Sequence, residues 1–382
     1  MIQGLLINQD LDITPKRVVS RENAADSLSR GIIQPHVESD RVHIDIPADL
    51  EVFMRNGWKS STLLGYNSAV KKFMAFRKSE GEGEFLLPIS GSVLEAFCIW
   101  AGRNAFSTNG GKISSNSLRK YIAGLKAWHI YHSVEFPTTN ESRINLLLKA
   151  SAKQDALETS IIKKKPMMFW HMTYLWQTLR EGDDFDKTIL DLFIVAFWGL
   201  ARLAELTYTS EKGKINFAES VLTTDVYLTT CTRGKAATLT IRNAKTGTPG
   251  TPQLITLGKQ KHALCPVDAI KRRLAAAEGK QTSLFGYDVN GSRRHITRRK
   301  AVSRLETVLS SGGFSGLKGH SFRVGGASLR AALGMSWNDL CTLGRWKSDC
   351  YKLYIRQYNT TDLSHTRALL REFRRSWRRM GF

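Results

Sequence analysis

The chain has 382 residues, 42% of them hydrophobic, enough for more than one buried core. Its 56 Lys+Arg against 34 Asp+Glu give a formal charge of +22, a field that points to a polyanionic partner, nucleic acid foremost. No apolar run reaches the roughly 18 residues of a membrane span and no secretory signal opens the sequence, which argues against a membrane protein or an exported one. The five cysteines lack metal-ligand spacing, so they read as reduced intracellular thiols, with Cys98 and Cys341 in cores and no zinc site.

Residues 1–46 carry little sustained periodicity and read as an irregular extension. Within them Asn23-Ala-Ala-Asp-Ser-Leu-Ser-Arg30 resembles the N-x-x-A-D-x-L-S-R tail of the ribonuclease H domain in retroelement polyproteins, one residue shorter between the Asn and the Ala-Asp. The resemblance gives Asp26 the place of a metal-binding carboxylate. With no ribonuclease H body upstream, it implies a remnant without activity here.

From residue 47 the pattern turns helical. Apolar positions in Ser61–Phe76 fall mostly on one face, and further helices are expected at Gly91–Ala105, Asn116–Tyr131 and Glu141–Ala152, opened by capping Ser, Asn or Thr. Residues 47–152 thus make a helical, DNA-binding bundle whose basic edges include Lys71, Lys72, Arg119, Lys120 and Lys126. Residues 153–165 are polar, end in Lys163–Lys165 before Pro166, and read as a linker with a possible nuclear-targeting run.

A second domain, 166–360, begins at that proline. Thr188–Leu206 is apolar almost all round and is expected to be one buried helix carrying Arg202 and Glu205 at its C-terminal end. An unpaired buried charge is costly, so these two need partners. They either bridge each other or free Arg202 for an external anion while Glu205 supports the local structure. Asp225–Leu257 alternates and is rich in β-branched residues, which predicts three short antiparallel strands, with Lys245 entering a Gly/Pro-rich turn after the second. Helices follow at Val267–Glu278 and Arg298–Ser311. The basic run Arg293–Lys300, with Arg293 and Arg294, suits DNA backbone contacts.

Lys318–Tyr358 holds the densest chemistry. His320 and Arg323 lie one helical turn apart, followed by a helical hairpin, Gly344-Arg-Trp346 and the tyrosines 351, 354 and 358. Charge grows on the non-bridging oxygens when a phosphodiester is attacked, and two arginines answer it with paired hydrogen bonds that persist at any working pH. Arg202 and Arg323 are the candidates. A phenol titrates near pH 10 and needs base assistance or a strongly positive site, which His320 is placed to supply. Lys245 can protonate a departing 5′ oxygen, and Trp346 can offer its indole N–H.

In this order these residues resemble the tyrosine recombinase (phage integrase) family. The resemblance rests on Arg202-Leu-Ala-Glu205, Lys245 between strands, His320-Ser-Phe-Arg323, Leu343-Gly-Arg-Trp346 and Tyr354-Ile-Arg356, and spans about residues 47–360. It implies a mainly α chain with an N-terminal helical bundle and a mixed α+β catalytic domain holding a small three-stranded antiparallel sheet. It further implies DNA cleavage and rejoining through a 3′-phosphotyrosyl link that conserves bond energy, with no metal, ATP or other cofactor. Tyr354, eight residues after Trp346 where nine is the commoner interval, is the preferred nucleophile and Tyr351 the second choice. Two of the three tyrosines are expected to be core. Residues 361–382 read as a basic amphipathic helix that could lie on membrane, on its own domain, on DNA or on a neighbouring protomer. The resemblance favours the last, in a tetramer on two DNA duplexes. The tail-like Asn23–Arg30 segment points to a DIRS-like or Ngaro-like retrotransposon, with a Crypton transposon as the other source, and to a nuclear enzyme integrating a mobile element. Two other readings are a type IB topoisomerase and a recombinase-derived DNA-binding protein without catalysis.

Overall fold

The computed structural model describes residues 54, 57–58, 60–82, 87–104, 112–158, 165–231, 234–242, 244 and 250–379. Asn23–Arg30, Lys163, Lys164 and Lys245 lie outside them. The chain divides into two compact units between Ile162 and Lys163.

The first unit is helical: α1 Ser60–Ser79, α2 Gly91–Ala101, α3 Ser115–Tyr131 and α4 Glu141–Glu158. Ser90 and Ser114 cap α2 and α3, each side chain accepting a backbone N–H from three residues on. The core joins Phe73, Phe76, Leu94, Phe97, Leu118 and Leu125, with Phe73 edge-on to Phe97 at 5.3 Å. Helix α2 is shorter than its pattern suggests, ending at Gly102. Helix α4 runs six residues into the stretch read as linker, because the Asp155 carboxylate takes the Ser115 N–H at 2.7 Å and Arg103 Nη1 at 2.9 Å. Lys71 on α1 and Arg119, Lys120 and Lys126 on α3 are exposed, and Lys72 is half-buried with its ammonium 4.9 Å from the Trp100 ring centre.

The second unit packs helices around one buried element, α6 Asp184–Trp198, preceded by α5 Phe169–Leu179. Every residue of α6 from Thr188 to Trp198 is buried. Its most deeply buried carboxylate, Asp191, meets Arg272 at 2.5 Å and Arg273 at 2.7 Å from α8 Pro266–Ala275, which supplies the partners such a charge requires. The expected single helix over Thr188–Leu206 is corrected here. The chain leaves the helix at Gly199, Leu200 takes a left-handed φ of 46°, and a separate turn α7 Leu203–Leu206 begins after Arg202. This break turns Arg202 from a helix-interior residue into an N-cap.

Strands β1 Val226–Cys231, β2 Gly234–Ile241 and β3 Gln253–Gly258 form an antiparallel sheet in the order β1-β2-β3. Its register sets Val226 opposite Leu239 and Leu239 opposite Ile255. Ala237, Leu239, Ile241, Ile255 and Leu257 turn to the core, the period-2 face that the alternation predicts. A second hairpin, β4 Gly286–Val289 and β5 Ser292–His295, was not expected. It occupies part of the basic run, and there the Arg293 guanidinium bonds Asp288 at 2.7 Å and the carbonyls of Ser283 and Ala276. Arg294 is half-buried.

Helices α9 Arg298–Ser311, α10 Ser321–Ala332, α11 Trp337–Gly344 and α12 Thr360–Arg379 complete the unit. Helix α12 lies against its own domain: Leu370 and Thr366 are buried, Phe373 packs on Phe169 and Trp176, and the His365 ring stacks on Trp170 at 5.2 Å. Among the described residues no helix is long and apolar enough to cross a membrane.

Candidate active site

Helix α10 carries the centre of the site. His320 stands at its start and Arg323 one turn in, and the glycines that follow let the helix sit against backbone. A Cβ on Gly325 would lie 1.9 Å from the Met167 carbonyl oxygen, and one on Gly326 would lie 2.1 Å from that of Phe197. No other residue fits there without displacing main chain. The close approach buries Arg323 completely. Its Nη1 donates to the Leu200 carbonyl, in the break after α6, and its Nη2 to the Gly344 carbonyl at 2.5 Å, at the end of α11. Arg323 therefore ties three segments that are remote in sequence.

Arg202, on the turn before α7, reaches the same place from the other side. Its backbone N–H donates to Glu205 Oε2 at 3.0 Å and its Nη1 to Oε1 at 2.7 Å. Glu205 also accepts Arg345 Nη2 at 2.7 Å. The mutual Arg202–Glu205 bridge is thus present, and a second arginine, Arg345, shares its carboxylate. Burial works to raise the Glu205 carboxyl, but Arg345 and then the Arg202 donors outweigh it and hold it below the ordinary carboxylate range. Burial first, then repulsion from Arg202 and Arg345, lowers the Arg323 proton affinity to about 10, against the opposing pull of Glu205 and Tyr354. A guanidinium so placed is still charged at neutral pH. Three guanidinium groups gather around one carboxylate, which bonds two of them, so the pocket carries net positive charge.

The aromatic side of the site is built on the segment after α11. Trp346, 9% exposed, lies with its ring centre 4.6 Å from the Arg323 guanidinium carbon. The Tyr354 ring stands 5.2 Å from Trp346, 5.0 Å from the His320 imidazole and 5.3 Å from the Arg323 guanidinium. Ser328 on α10 pins this stretch, donating to the Tyr354 carbonyl at 3.3 Å and accepting the Arg356 N–H at 2.8 Å. The other tyrosines differ. Tyr351 packs between Trp337 and Trp346 at 5.7 and 6.5 Å, and Tyr358 is packed against the main core, where burial pushes its hydroxyl well above the usual phenol range. Of the sequence candidates, Arg202, Glu205, His320, Arg323, Trp346 and Tyr354 converge. Lys245 falls in the β2–β3 connection, outside the described residues. Lys71, Lys72, Arg119, Lys120 and Lys126 belong to the first unit, and Arg293 is engaged in its own hairpin.

Three buried donors in the cluster, Arg323 Nε, Arg345 Nε and Trp346 Nε1, have no hydrogen-bond partner among the described residues. A buried donor left so costs about 1–3 kcal/mol, which makes the pocket suited to an acceptor-rich anion. The residue that sequence reasoning passed over is Arg345. It stands inside the quoted Leu343–Trp346 motif, and the interval from it to Tyr354 is nine residues, the spacing that Trp346 misses by one. Cys341 is half-exposed, correcting its expected core placement, and with Gln253, Asn338, Thr342 and Arg345 it lines an open cavity of about 450 Å³ beside Trp346.

No family model matches the chain, and no curated protein matches it. Solved structures do. The XerH site-specific recombinase bound to palindromic difH substrate in a post-cleavage complex aligns with a TM-score of 0.50 at 14% identity, over 84% of this chain and 82% of that one. The Tn1549 transposon integrase in complex with circular intermediate DNA aligns with a TM-score of 0.47 at 13% identity, over 82% and 95%. A lambda integrase dimer bound to a COC′ core site aligns at 0.43 and 13% identity, over 81% and 77%. The fold is that of the tyrosine recombinases. A mainly helical chain with a small three-stranded antiparallel sheet is what the tyrosine recombinase fold and this structure share.

Proposed function

We propose that this chain is a site-specific DNA recombinase that cleaves and rejoins double-stranded DNA through a 3′-phosphotyrosyl intermediate on Tyr354. The observation that carries this reading is the placement of one half-exposed phenol against His320, Trp346 and the buried Arg323, next to the Arg202–Glu205 pair. In the proposed step the Tyr354 oxygen attacks phosphorus while His320 assists removal of its proton. The scissile bond to the 5′ oxygen breaks, and that oxygen takes a proton, for which Lys245 is the candidate donor. Arg202, Arg323 and the Trp346 N–H meet the growing charge on the non-bridging oxygens. Preorganised donors of this kind are usually the largest source of rate enhancement. The freed 5′ hydroxyl of a partner strand then reverses the step, and the ester energy is kept.

The wider setting is proposed from the sequence. The Asn23–Arg30 segment favours a retrotransposon or other mobile element whose DNA copy the enzyme integrates. The Lys163–Lys165 run suits a nuclear protein, and the resemblance favours a tetramer with exchange of the C-terminal helix. The exposed basic residues Lys71, Arg119, Lys120 and Lys126 are proposed to contact DNA backbone.

The test is a duplex bearing a nick next to the cleavage position at an end of the element, which traps a covalent adduct. Wild type and Tyr351→Phe should form the adduct and Tyr354→Phe should not. An adduct that survives Tyr354→Phe overturns the nucleophile assignment. Absence of any adduct from the wild type on element-end DNA favours a binding protein that has lost catalysis, and relaxation of supercoiled plasmid without strand exchange favours a topoisomerase.

A further inference from the structure

The proposed chemistry gives Arg345 no part, yet its surroundings are among the most constrained in the second unit. It ends α11 in the left-handed region, φ 56° and ψ 40°, which costs a non-glycine residue on the order of 1–2 kcal/mol. Such a conformation persists where side-chain contacts over-determine it. Here they do. Nη2 meets Glu205 Oε2 at 2.7 Å, Nη1 meets Gln253 Oε1 at 3.3 Å at the first residue of β3, and the side chain is 9% exposed. Glu205 in turn holds Arg202 by both its main-chain N–H and its guanidinium.

From this geometry we infer that Arg345 is a positioning residue: it fixes the Glu205 carboxylate, and through it the Arg202 guanidinium, to the strand that follows the Lys245 connection. The inference rests on the recombinase reading above. Both Nη groups of Arg345 are committed to side-chain acceptors on other elements, Glu205 after the α6 break and Gln253 on β3. The left-handed turn at Arg345 also redirects the chain so that Trp346 follows directly onto the Arg323 guanidinium. One residue thus sets the distance between the two phosphate-binding arginines and keeps the β3 end of the Lys245 connection beside them.

The experiment measures single-turnover cleavage of the nicked duplex at saturating enzyme, with DNA affinity over a salt series, for wild type, Arg345→Met, Arg345→Lys, Glu205→Gln and Arg345→Met/Glu205→Gln. A displaced clamp should slow cleavage by Arg345→Met on the order of 10²-fold, with affinity and its salt slope unchanged. Arg345→Lys, which can keep the ion pair but cannot span to Gln253, should recover about a tenth of the wild-type rate or more. The double variant should be no slower than Arg345→Met, because the two side chains act as one unit. A wild-type rate in both Arg345 variants overturns the inference, as does a double variant whose losses multiply. A salt slope reduced by about one with weakened binding makes Arg345 a direct phosphate ligand instead, which also overturns it. A DNA-free arm separates this inference from the recombinase reading. With Arg345 gone, the Glu205 pKa should rise and acid unfolding should move to higher pH than in wild type. If wild type forms no adduct but that shift appears, the recombinase reading fails and the positioning contact stands; an adduct without the shift and without a rate loss removes only the contact. Should Arg345→Met fail to fold, Arg345→Lys carries both readouts.

Discussion

Glu205 holds two guanidinium groups at once, so its ionisation governs the geometry of both. Its folded pKa lies below the ordinary 4.5, and its contribution to stability is therefore complete above that value and lost as pH falls through the lower folded pKa. Glu205→Gln should accordingly flatten the loss of stability below about pH 4.5, measured as the urea midpoint against pH; an unchanged acid limb would show that the pair contributes nothing. His262 acts at milder pH. It is fully buried, with its ring 5.6 Å from Trp198 and 6.0 Å from Phe169, and burial, with the nearby Arg374 charge, lowers its pKa from 6.5 to about 4. A neutral histidine of this kind supports the fold fully above pH 6.5 and loses that support between 6.5 and 4, since the unfolded chain takes up the proton first. His262→Phe should remove part of the decline in thermal midpoint across that interval. At this scale the sequence was informative where chemistry has a narrow choice of residue, as with His320, Arg323 and Tyr354. It was silent on Arg345, because a left-handed backbone at a non-glycine residue leaves no periodic or compositional trace. The interval from Trp346 already favoured Tyr354 over Tyr358, and the packing of Tyr358 against the main core separates the two further.

The elements place these side chains, and α10 does so through what it lacks. Gly325 and Gly326 allow it to rest on the carbonyls of Met167 and Phe197, and that contact sinks Arg323 to its depth. Gly326→Ala has to move main chain, so it should cost about 1–3 kcal/mol in unfolding free energy, as overpacking does. It should also slow cleavage even where the protein remains folded. A variant as stable and as fast as wild type would mean that the close approach is dispensable. Elsewhere the element pattern was readable in most places. The three strands and α9 follow from alternation and from a capped helical stretch. The unexpected β4–β5 hairpin has its signal at Asn290-Gly291, whose φ values of 49° and 73° suit the turn, although its strands are short and carry arginines in place of an apolar alternation. The break between α6 and α7 was hidden for a different reason. An apolar run that continues across Gly199 and Leu200 looks the same whether the chain stays helical or turns, and only the tertiary demand for the Leu200 carbonyl on Arg323 distinguishes the two.

Over the whole molecule, the +22 charge should govern how DNA binding responds to salt. Neutralising six or more phosphates releases counterions, so affinity should fall roughly 10³-fold or more between 50 and 200 mM salt, measured by fluorescence anisotropy. A flat response would contradict a DNA-gripping surface. The basic balance was legible from composition, and so was the amphipathic tail. The seat of that tail was not, because an apolar stripe of Leu370 and Phe373 fits its own domain and a neighbour's equally well. The structure seats α12 in its own chain, over Phe169, Trp170 and Trp176. Truncation after Asn359 should bare those rings and raise binding of a hydrophobic dye.

That seat turns the tail into a competitor. A short tether keeps α12 at an effective concentration near millimolar for its own groove. An α12 offered by another molecule meets an occupied site, however well it fits. Trading tails between copies exchanges like contacts for like, so the free-energy difference is small and the outcome rests on how closely the copies are held. Molecules free in dilute solution would keep their tails to themselves. In the proposed assembly, copies brought side by side on one duplex would find the trade nearly level, and the DNA itself would then act as the measure of when to assemble.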